Sequence, residues 1–228
     1  MLIALTRAVP PSIVHCELTH LERTPIDVDR AVAQHAEYER ALARLGCRVQ
    51  RIAPEPDMSD SVFVEDTAVV LDNGVAIITR PGAESRRGET RSMAAALAPY
   101  RELASIEDPG TLDGGDVLSI GDTLYVGLSA RTNEEGIRQL RRFARVVAVP
   151  VTKCLHLKSA VTAVGDRTLL INSKWIEREH FAGFEFVEAE QANALRIGDA
   201  VLYPGDVPMD ELAKAEGALT CCSVIFHG

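Results

Sequence analysis

The sequence predicts an α/β fold assembled from repeated ββαβ units. Three observations support this: short apolar runs joined by two-residue turns recur, amphipathic helical segments lie between them, and the pattern returns at intervals of roughly 35 to 45 residues. A chain of 228 residues has room for about five such units. Repetition alone fits an open solenoid as well as a closed ring. Radial closure would bring loops from every unit to one central site.

The repeated hairpins are the most informative pattern. In the first hairpin, residues 69–71 and 75–78 flank Asn73-Gly74, a pair that is typical of type I′ turns. Glycine and aspartate form the turn in the later hairpins, at positions 121–122, 165–166 and 198–199. The strands predicted around those later turns are 116–120 with 123–126, 161–164 with 168–171, and 201–203.

Helical spacing appears between the hairpins. Residues 27–45 place apolar side chains at i, i+3, i+4 and i+7, at Val28, Ala31, Val32, His35, Leu42 and Leu45. Asp27 is the expected N-cap of this helix and Gly46 the expected C-cap. Further helices are predicted at 89–97 and 133–145, with a weaker one at 173–180, and a first strand is predicted at 2–6.

The charge balance limits the classes of partner. Twenty-four basic residues against thirty-three acidic ones give a net charge of -9. Such a surface repels the phosphates of nucleic acids and anionic membranes, so we expect neither as a partner. Because no stretch approaches the roughly 18 apolar residues of a membrane span, a cytoplasmic protein is expected. Without a Gly/Ser-rich linker, residues 1–228 are interpreted as one domain.

The five cysteines argue against a disulfide framework. They are Cys16, Cys47, Cys154, Cys221 and Cys222, an odd number without CxxC spacing. Cys221 and Cys222 enter a short β-branched run, and free cysteines commonly pack as small buried residues. Because neighbouring residues of a strand point to opposite faces, at most one of this pair is expected to be a nucleophile.

Three carboxylates lie close together in residues 60–66, at Asp60, Glu65 and Asp66. The simpler interpretation is a solvated end of a strand. Charged groups beside apolar residues cost free energy unless a cation meets them, so the segment also fits a clamp for a flat organic cation. A guanidinium would present its N–H donors to the carboxylates and its face to Phe63.

Asp113 and Asp116 flank a glycine pair, and a lone histidine, His156, follows in apolar surroundings. Gly-Gly most often marks a turn, although it also lets a ligand approach the backbone closely. A lone histidine is most often a hydrogen-bonded core residue. A carboxylate such as Asp113 would instead orient His156 for general acid and base catalysis.

These segments together resemble the dimethylarginine dimethylaminohydrolase family. The resemblance runs from the N-terminal strand to about residue 172 and resumes at the C-terminus. It implies the pentein fold, a five-bladed α/β propeller of pseudo-repeated ββαβ units around a central active site. The motifs that carry it are FVED at 63–66, ITRPGAESRRGE at 78–89, LDGGDV at 112–117, GLSARTN at 127–133, LHLKS at 155–159 and LTCCSV at 219–224.

The resemblance implies roles for individual residues. Cys221 would be the nucleophile, His156 the general acid and base, and Asp113, where some relatives have Glu, the carboxylate that orients it. Glu65 and Asp66 would face the guanidinium beside Phe63, and Asp60 would bind the other cationic groups of the substrate. Arg86 and Arg131 would hold its α-carboxylate, Leu18 would lie in a mobile lid, and Ala215 would offer its backbone carbonyl. Paired basic residues such as Arg86-Arg87 otherwise decorate surfaces.

The last blade departs from the family pattern. Between Tyr203-Pro204 and Met209, relatives have an additional helix and strand, whereas this chain has only residues 205–208. The sequence therefore predicts a shortened last blade that lacks most of its helical layer.

The expected activity is hydrolysis of asymmetric dimethylarginine or monomethylarginine to citrulline and dimethylamine or methylamine, through a covalent thiouronium on the cysteine. Two alternatives stay open: another guanidine-modifying reaction, such as arginine deimination, and a binding protein with a decayed site. We expect a small methylated arginine as the partner and no metal or organic cofactor. A homodimer is left open.

Overall fold

The computed structural model describes residues 1–228 and divides their strands among five small sheets. The strands are β1 (Leu2–Thr6), β2 (Arg48–Arg51), β3 (Ala68–Val70), β4 (Val75–Ile78), β5 (Glu102–Ser105), β6 (Val117–Ile120), β7 (Thr123–Leu128), β8 (Arg145–Pro150), β9 (Val161–Ala163), β10 (Thr168–Ile171), β11 (Glu185–Glu188), β12 (Leu195–Ile197), β13 (Ala200–Leu202) and β14 (Val224–His227).

Helices and 3₁₀ turns connect the strands. The α-helices are α1 (Val28–Arg44), α2 (Thr90–Leu97), α3 (Glu134–Leu140), α4 (Leu157–Ala160) and α5 (Asp210–Ala213). The 3₁₀ turns are Pro11–His15, Val64–Thr67, Glu84–Glu89, Gly114–Asp116, Arg178–Phe181 and Thr220–Cys222. No helix has the length and apolar composition that a membrane span requires.

Each unit repeats one strand pattern. In the sheets β3-β4-β5, β6-β7-β8 and β9-β10-β11, the middle strand is antiparallel to the first strand and parallel to the third. The C-terminal strand β14 completes the first unit by pairing antiparallel to β1, which is also parallel to β2. Because the first sheet contains strands from both ends of the chain, the five units close into a ring.

A central cavity of about 630 Å³ lies within this ring. Its wall includes Leu2, Ala68, Val117, Thr162 and Leu195, and these residues come from five different units. A solenoid would not converge in this way, so the radial arrangement is the correct one of the two that repetition allowed. The structure confirms the five-unit α/β propeller.

The fifth unit is shortened, as the sequence predicted. Its sheet has only two strands, β12 and β13, and α5 is four residues long. Every other sheet has three strands. The unit therefore lacks the outer parallel strand and most of the covering helix.

The first predicted helix is confirmed with one difference on its buried face. Asp27 caps α1 by accepting a hydrogen bond from the Arg30 N–H, and Gly46 follows the helix with a φ of +92°. Val32 was placed on the buried stripe, but it is 47% exposed. Tyr38 is fully buried instead, and its hydroxyl lies 2.7 Å from the Ser223 hydroxyl.

Three other sequence expectations need correction. The helix predicted at 133–145 ends at Leu140, because the β-branched run that follows pairs with β7 as strand β8. Residues 173–180 contain no α-helix; a turn at 173–175 is followed by a 3₁₀ turn that begins at Arg178. The predicted strand 116–120 begins at Val117, since Asp116 belongs to the preceding 3₁₀ turn.

Candidate active site

One small cavity brings together most of the predicted site residues. They are Asp60, Phe63, Asp66, Arg86, Arg131, His156, Ala215 and Cys221. Three further side chains line the cavity and were not predicted, Glu17, Leu155 and Glu216. Leu18, Glu65 and Asp113 are the predicted residues that do not line it.

Asp113 acts on the cavity through His156. The Nε2 atom of His156 lies 3.1 Å from Asp113 Oδ2, and both side chains are buried. His156 immediately precedes α4, and its Nδ1 atom lies 3.9 Å from Asp66 Oδ1. The imidazole is therefore held between two carboxylates.

These carboxylates control the charge of His156. Burial alone favours the neutral imidazole, but Asp66, Asp113 and Asp116 outweigh it and raise the pKa of His156 to about 9. Burial opposes the ionised form of Asp66 as well, but His156 and Arg86 lower the pKa of Asp66 to about 2. At neutral pH the cavity thus contains an imidazolium beside a carboxylate.

The glycine pair makes room for these side chains. A Cβ atom on Gly115 would lie 2.5 Å from His156 Nδ1, and one on Gly114 would lie 1.9 Å from the Glu65 carbonyl oxygen. The Gly115 N–H also donates to Asp66 Oδ1 at 2.8 Å. Glycine is required here because two protein segments approach the turn closely.

Arg86 is buried in the wall of the cavity. Its guanidinium donates to Asp66 Oδ2 at 2.6 Å and to Glu89 Oε2 at 2.8 Å. It also donates to the carbonyl oxygens of Asp60 and Phe63. Protein acceptors already engage these donors, so Arg86 orders the acidic segment as well as facing the cavity. This is not the surface position that an Arg-Arg pair usually takes.

Arg131 is the more accessible arginine. It is half-buried, and its Nη2 atom donates to Thr19 Oγ1 at 2.9 Å. Thr19 belongs to the segment of residues 17–23 that contains Leu18, which we call the lid. Leu18 packs against the main hydrophobic cluster, and Asp60 accepts a hydrogen bond from the backbone N–H of Glu17.

Glu216 fastens the lid. Its carboxylate accepts hydrogen bonds from the backbone N–H groups of Thr19, His20 and Leu21, at 2.9, 2.5 and 2.8 Å. Glu216 has a φ of +58°, which is uncommon for a residue with a side chain. Sequence reasoning missed it because its partners lie about 195 positions away. Its neighbour Ala215, which was predicted, would have been the only signal.

The Glu65 carboxylate is engaged by other protein groups and does not reach the catalytic cavity. It accepts hydrogen bonds from Lys158 Nζ at 2.5 Å and from Thr220 Oγ1 at 2.8 Å. The residue lines the central cavity, whereas Asp66 faces the catalytic one. Burial raises the pKa of Glu65, and Lys158 opposes that shift.

Cys221 is the thiol of the cavity, and Cys222 is not. Both belong to the 3₁₀ turn at 220–222, so the prediction that they lie in a strand is wrong. Cys222 is fully buried, and its Sγ atom lies 3.8 Å from the Ala218 carbonyl oxygen. Burial raises the pKa of the Cys221 thiol, and the negative charges of Glu65 and Asp66 raise it further.

Asp66, Asp113 and His156 are the group that could hold a metal ion. One ligand atom from each lies within 4.8 Å of the others. The Arg86 guanidinium, 2.6 Å from Asp66, supplies positive charge to the same acidic group. This ion pair competes with a cation for Asp66.

Comparisons with known proteins identify the family. An arginine deiminase family model matches residues 53–206. The chain is 50% identical to an N(G),N(G)-dimethylarginine dimethylaminohydrolase of Streptomyces coelicolor, over 97% of this chain and 95% of the relative. It is 32% identical to the enzyme of that name from Pseudomonas aeruginosa, over 88% of this chain and 90% of the relative.

Solved structures show the same backbone. The Pseudomonas aeruginosa enzyme, as a cysteine-to-serine mutant complexed with citrulline, superposes with a TM-score of 0.92 and 31% identity over 98% of both chains. A dimethylarginine dimethylaminohydrolase adduct with S-methyl-L-thiocitrulline gives 0.91 and 31%, over 99% of this chain and 100% of that one. The protein is therefore a pentein of the guanidine-modifying class. Within that class, the chain belongs to the dimethylarginine dimethylaminohydrolase family.

Proposed function

We propose that this protein hydrolyses Nω-methylated arginine to citrulline and a methylated amine through a covalent intermediate on Cys221. The observation that carries the proposal is the convergence of Cys221, His156 and Asp66 on one cavity. The 50% identity to the Streptomyces coelicolor enzyme supports the choice of substrate. The substrate is a small molecule, and residues 1–228 are taken as one catalytic domain.

We propose that the guanidinium and the α-amino acid group of the substrate bind at opposite ends of the cavity. The guanidinium lies against Asp66 and the face of Phe63, because a delocalised cation matches a carboxylate and an aromatic ring. Arg131 holds the α-carboxylate, for which its paired donors are suited. Asp60 and the Ala215 carbonyl accept from the remaining cationic groups. Arg86 supports the α-carboxylate end electrostatically while it orders Asp66.

The substrate also activates the thiol. In the free protein, burial and two neighbouring carboxylates keep Cys221 protonated. A bound guanidinium introduces positive charge beside these groups, which favours the thiolate, and the thiol proton passes to solvent because His156 is already protonated. A nucleophile formed only when the substrate is present is protected from other electrophiles and oxidants.

In the first step, the Cys221 thiolate attacks the guanidinium carbon and a C–S bond forms. The C–N bond to the methylated nitrogen then breaks, and His156 donates its proton to the departing amine. The product on the enzyme is a thiouronium. His156 is suited to this role because its raised pKa, about 9, keeps it protonated at neutral pH.

In the second step, the neutral His156 takes a proton from water, which attacks the thiouronium carbon. The C–S bond breaks and its electron pair returns to Cys221, the hydroxyl proton of the intermediate passes to the released thiolate, and citrulline leaves with its carbonyl restored. Nδ1 is the nitrogen that exchanges these protons, since Nε2 is bonded to Asp113. The lid excludes bulk water while the thiouronium exists.

Arginine deimination is the second candidate, because the family model that matches residues 53–206 is described as arginine deiminase. The test is to incubate the protein with asymmetric dimethylarginine, monomethylarginine, arginine and agmatine, and to measure citrulline and released amine. We expect citrulline and dimethylamine in equal amounts from dimethylarginine. Citrulline from arginine alone would reject the first function, and turnover of none of them would favour a decayed binding protein.

The five free cysteines support a reducing location, and the cytoplasm is proposed on that basis. A homodimer stays a prediction.

A further inference from the structure

We propose that Asp116 is a positioning residue that holds three separate parts of the active site in register. These parts are the turn that carries Asp113, the loop that carries Arg131 and the segment that carries His156. The inference rests on the proposed function, in which the three residues orient the imidazole, bind the α-carboxylate and move protons. Asp116 itself does not line the catalytic cavity.

The carboxylate of Asp116 is fully buried and receives hydrogen bonds at both oxygens. Its Oδ2 atom accepts from Ser129 Oγ at 2.6 Å and from Thr132 Oγ1 at 2.7 Å. Its Oδ1 atom accepts from the backbone N–H of Leu157 at 2.9 Å. The donors come from the loop after β7 and from the start of α4, two segments that are distant in sequence.

The hydroxyl groups of Ser129 and Thr132 connect Asp116 to the backbone of the loop that carries Arg131 and of the turn that carries Asp113. Ser129 Oγ accepts hydrogen bonds from the backbone N–H groups of Arg131 and Thr132, at 3.0 and 3.1 Å. Thr132 Oγ1 accepts from the backbone N–H of Asp113 at 3.1 Å. Because each hydroxyl donates its single proton to Asp116, both oxygens are oriented to accept from these amides.

The bond to the Leu157 N–H fixes the other side of the site. Leu157 follows His156 directly, so this bond sets the position of the peptide that carries the imidazole. A Cβ atom on Gly127 would lie 2.3 Å from Asp116 Oδ1. The glycine at position 127 therefore gives the carboxylate the space it needs beside α4.

Asp116 also contributes to the charge of the imidazole. The acidic groups that act on His156 are Asp66, Asp113 and Asp116, and the Cys221 thiol shares the cavity with it. Burial raises the pKa of Asp116 to about 6, while His156 and the hydrogen-bond donors oppose that shift. The carboxylate is ionised above that pH and stabilises the imidazolium.

Asp116→Asn is the informative substitution because it keeps the shape and replaces one acceptor oxygen by a donor. Ser129 Oγ already accepts two N–H groups and must donate its proton, so an NH₂ group placed opposite finds no acceptor there. Losing a hydrogen bond to a buried charge corresponds to about a tenfold effect or more. Asp122→Asn is the matched control, since Asp122 lies exposed in the turn of the same hairpin.

The experiment measures kcat, KM and the alkaline limb of kcat for dimethylarginine in the wild type, Asp116→Asn, Asp122→Asn and Ser129→Ala. In Asp116→Asn we expect kcat to fall and KM to rise by about tenfold each, and the limb to move to lower pH. Ser129→Ala should raise KM and leave kcat nearly unchanged. The proposal would be overturned if the alkaline limb of kcat stays in place in Asp116→Asn. It would also be overturned if kcat and KM of Asp116→Asn are within about twofold of those of Asp122→Asn.

Two further readouts keep the test decisive. If Asp116→Asn does not fold, the KM of Ser129→Ala decides, and an unchanged KM rejects the proposal. If the wild type turns over no guanidine, the proposed function fails, but hydrogen exchange at the Leu157 and Arg131 amides still tests Asp116. Faster exchange at these amides in Asp116→Asn than in Asp122→Asn supports positioning by Asp116, and equal exchange contradicts it.

Discussion

The Nε2 atom of His156 lies 3.1 Å from Asp113 Oδ2, at the end of the imidazole opposite the one that approaches Asp66. The short aspartate side chain is long enough to reach the histidine. This bond places the Nε2 proton on the Asp113 side. Nδ1 is therefore the nitrogen that can exchange a proton with the substrate.

Asp113→Asn tests this arrangement through pH dependence. Asp113 is one of the carboxylates that raise the pKa of His156 to about 9, so removing its charge should lower that pKa. In the wild type, kcat should hold up to about pH 9 and fall above it, as the general acid loses its proton. In Asp113→Asn the fall should begin at a lower pH.

The pH profile of kcat, measured at saturating dimethylarginine, checks this prediction. Asp122→Asn serves as the control for a charge lost elsewhere. The same alkaline limb in both variants would show that Asp113 does not set the protonation of His156.

The two adjacent cysteines should respond differently to substitution. Cys221→Ser should abolish turnover, because a hydroxyl is a far weaker nucleophile at neutral pH. Cys222→Ser should retain most activity, since Cys222 is buried away from the cavity beside the Ala218 carbonyl. Steady-state rates with dimethylarginine distinguish the two, and equal losses would contradict the assignment.

Substitution of Arg131 should weaken substrate binding, whereas substitution of Arg86 should lower the stability of the fold. Arg131→Met should raise KM for dimethylarginine by about tenfold or more, since a charged hydrogen-bonding partner of the α-carboxylate is lost. The same change should leave agmatine, which has no carboxylate, unaffected. A parallel change with both compounds would show that Arg131 does not read the α-carboxylate.

Arg86→Met should instead unfold more easily. It removes the hydrogen-bonded cation from the buried carboxylates of Asp66 and Glu89, which costs about 3–5 kcal/mol. Urea denaturation gives this free energy, with Arg131→Met as the half-buried control. Equal stability of the two variants would mean that the Arg86 ion pairs contribute little to folding.

Glu216→Gln should loosen the lid. The carboxylate accepts three backbone N–H groups, and an amide oxygen accepts them more weakly because it carries no charge. Hydrogen exchange at the amides of residues 19–21 should become faster, and KM should rise by about two- to tenfold. Unchanged exchange at these amides would show that other contacts keep the lid closed.

The repeated elements of the fold could be predicted because local signals specify them. Asn73-Gly74 marks its hairpin turn, and Asp27 marks the start of α1. The end of α3 could not be predicted from local sequence signals. Its predicted continuation keeps helical spacing up to residue 145, and only pairing with β7 shows that the chain has changed to a strand.

The features of the site that could not be predicted from the sequence depend on contacts between residues that are far apart in the chain. His156 and Cys221 follow from the family resemblance, but the separation of Glu65 from Asp66 does not. Lys158 and Thr220, which are 93 and 155 positions away in the chain, hold the Glu65 carboxylate beside the central cavity. Glu216 is a similar case, since nothing in its local sequence indicates that it binds the lid.

Trapping the covalent intermediate tests whether Cys221 is the nucleophile. Turnover of asymmetric dimethylarginine by Cys222→Ser, quenched with acid and digested, should yield a C-terminal peptide whose remaining thiol, Cys221, carries the substrate less dimethylamine. We expect this thiouronium together with dimethylamine and citrulline in equal amounts. Citrulline formed by Cys221→Ser at the wild-type rate, or an adduct on another residue, would contradict this assignment of the nucleophile.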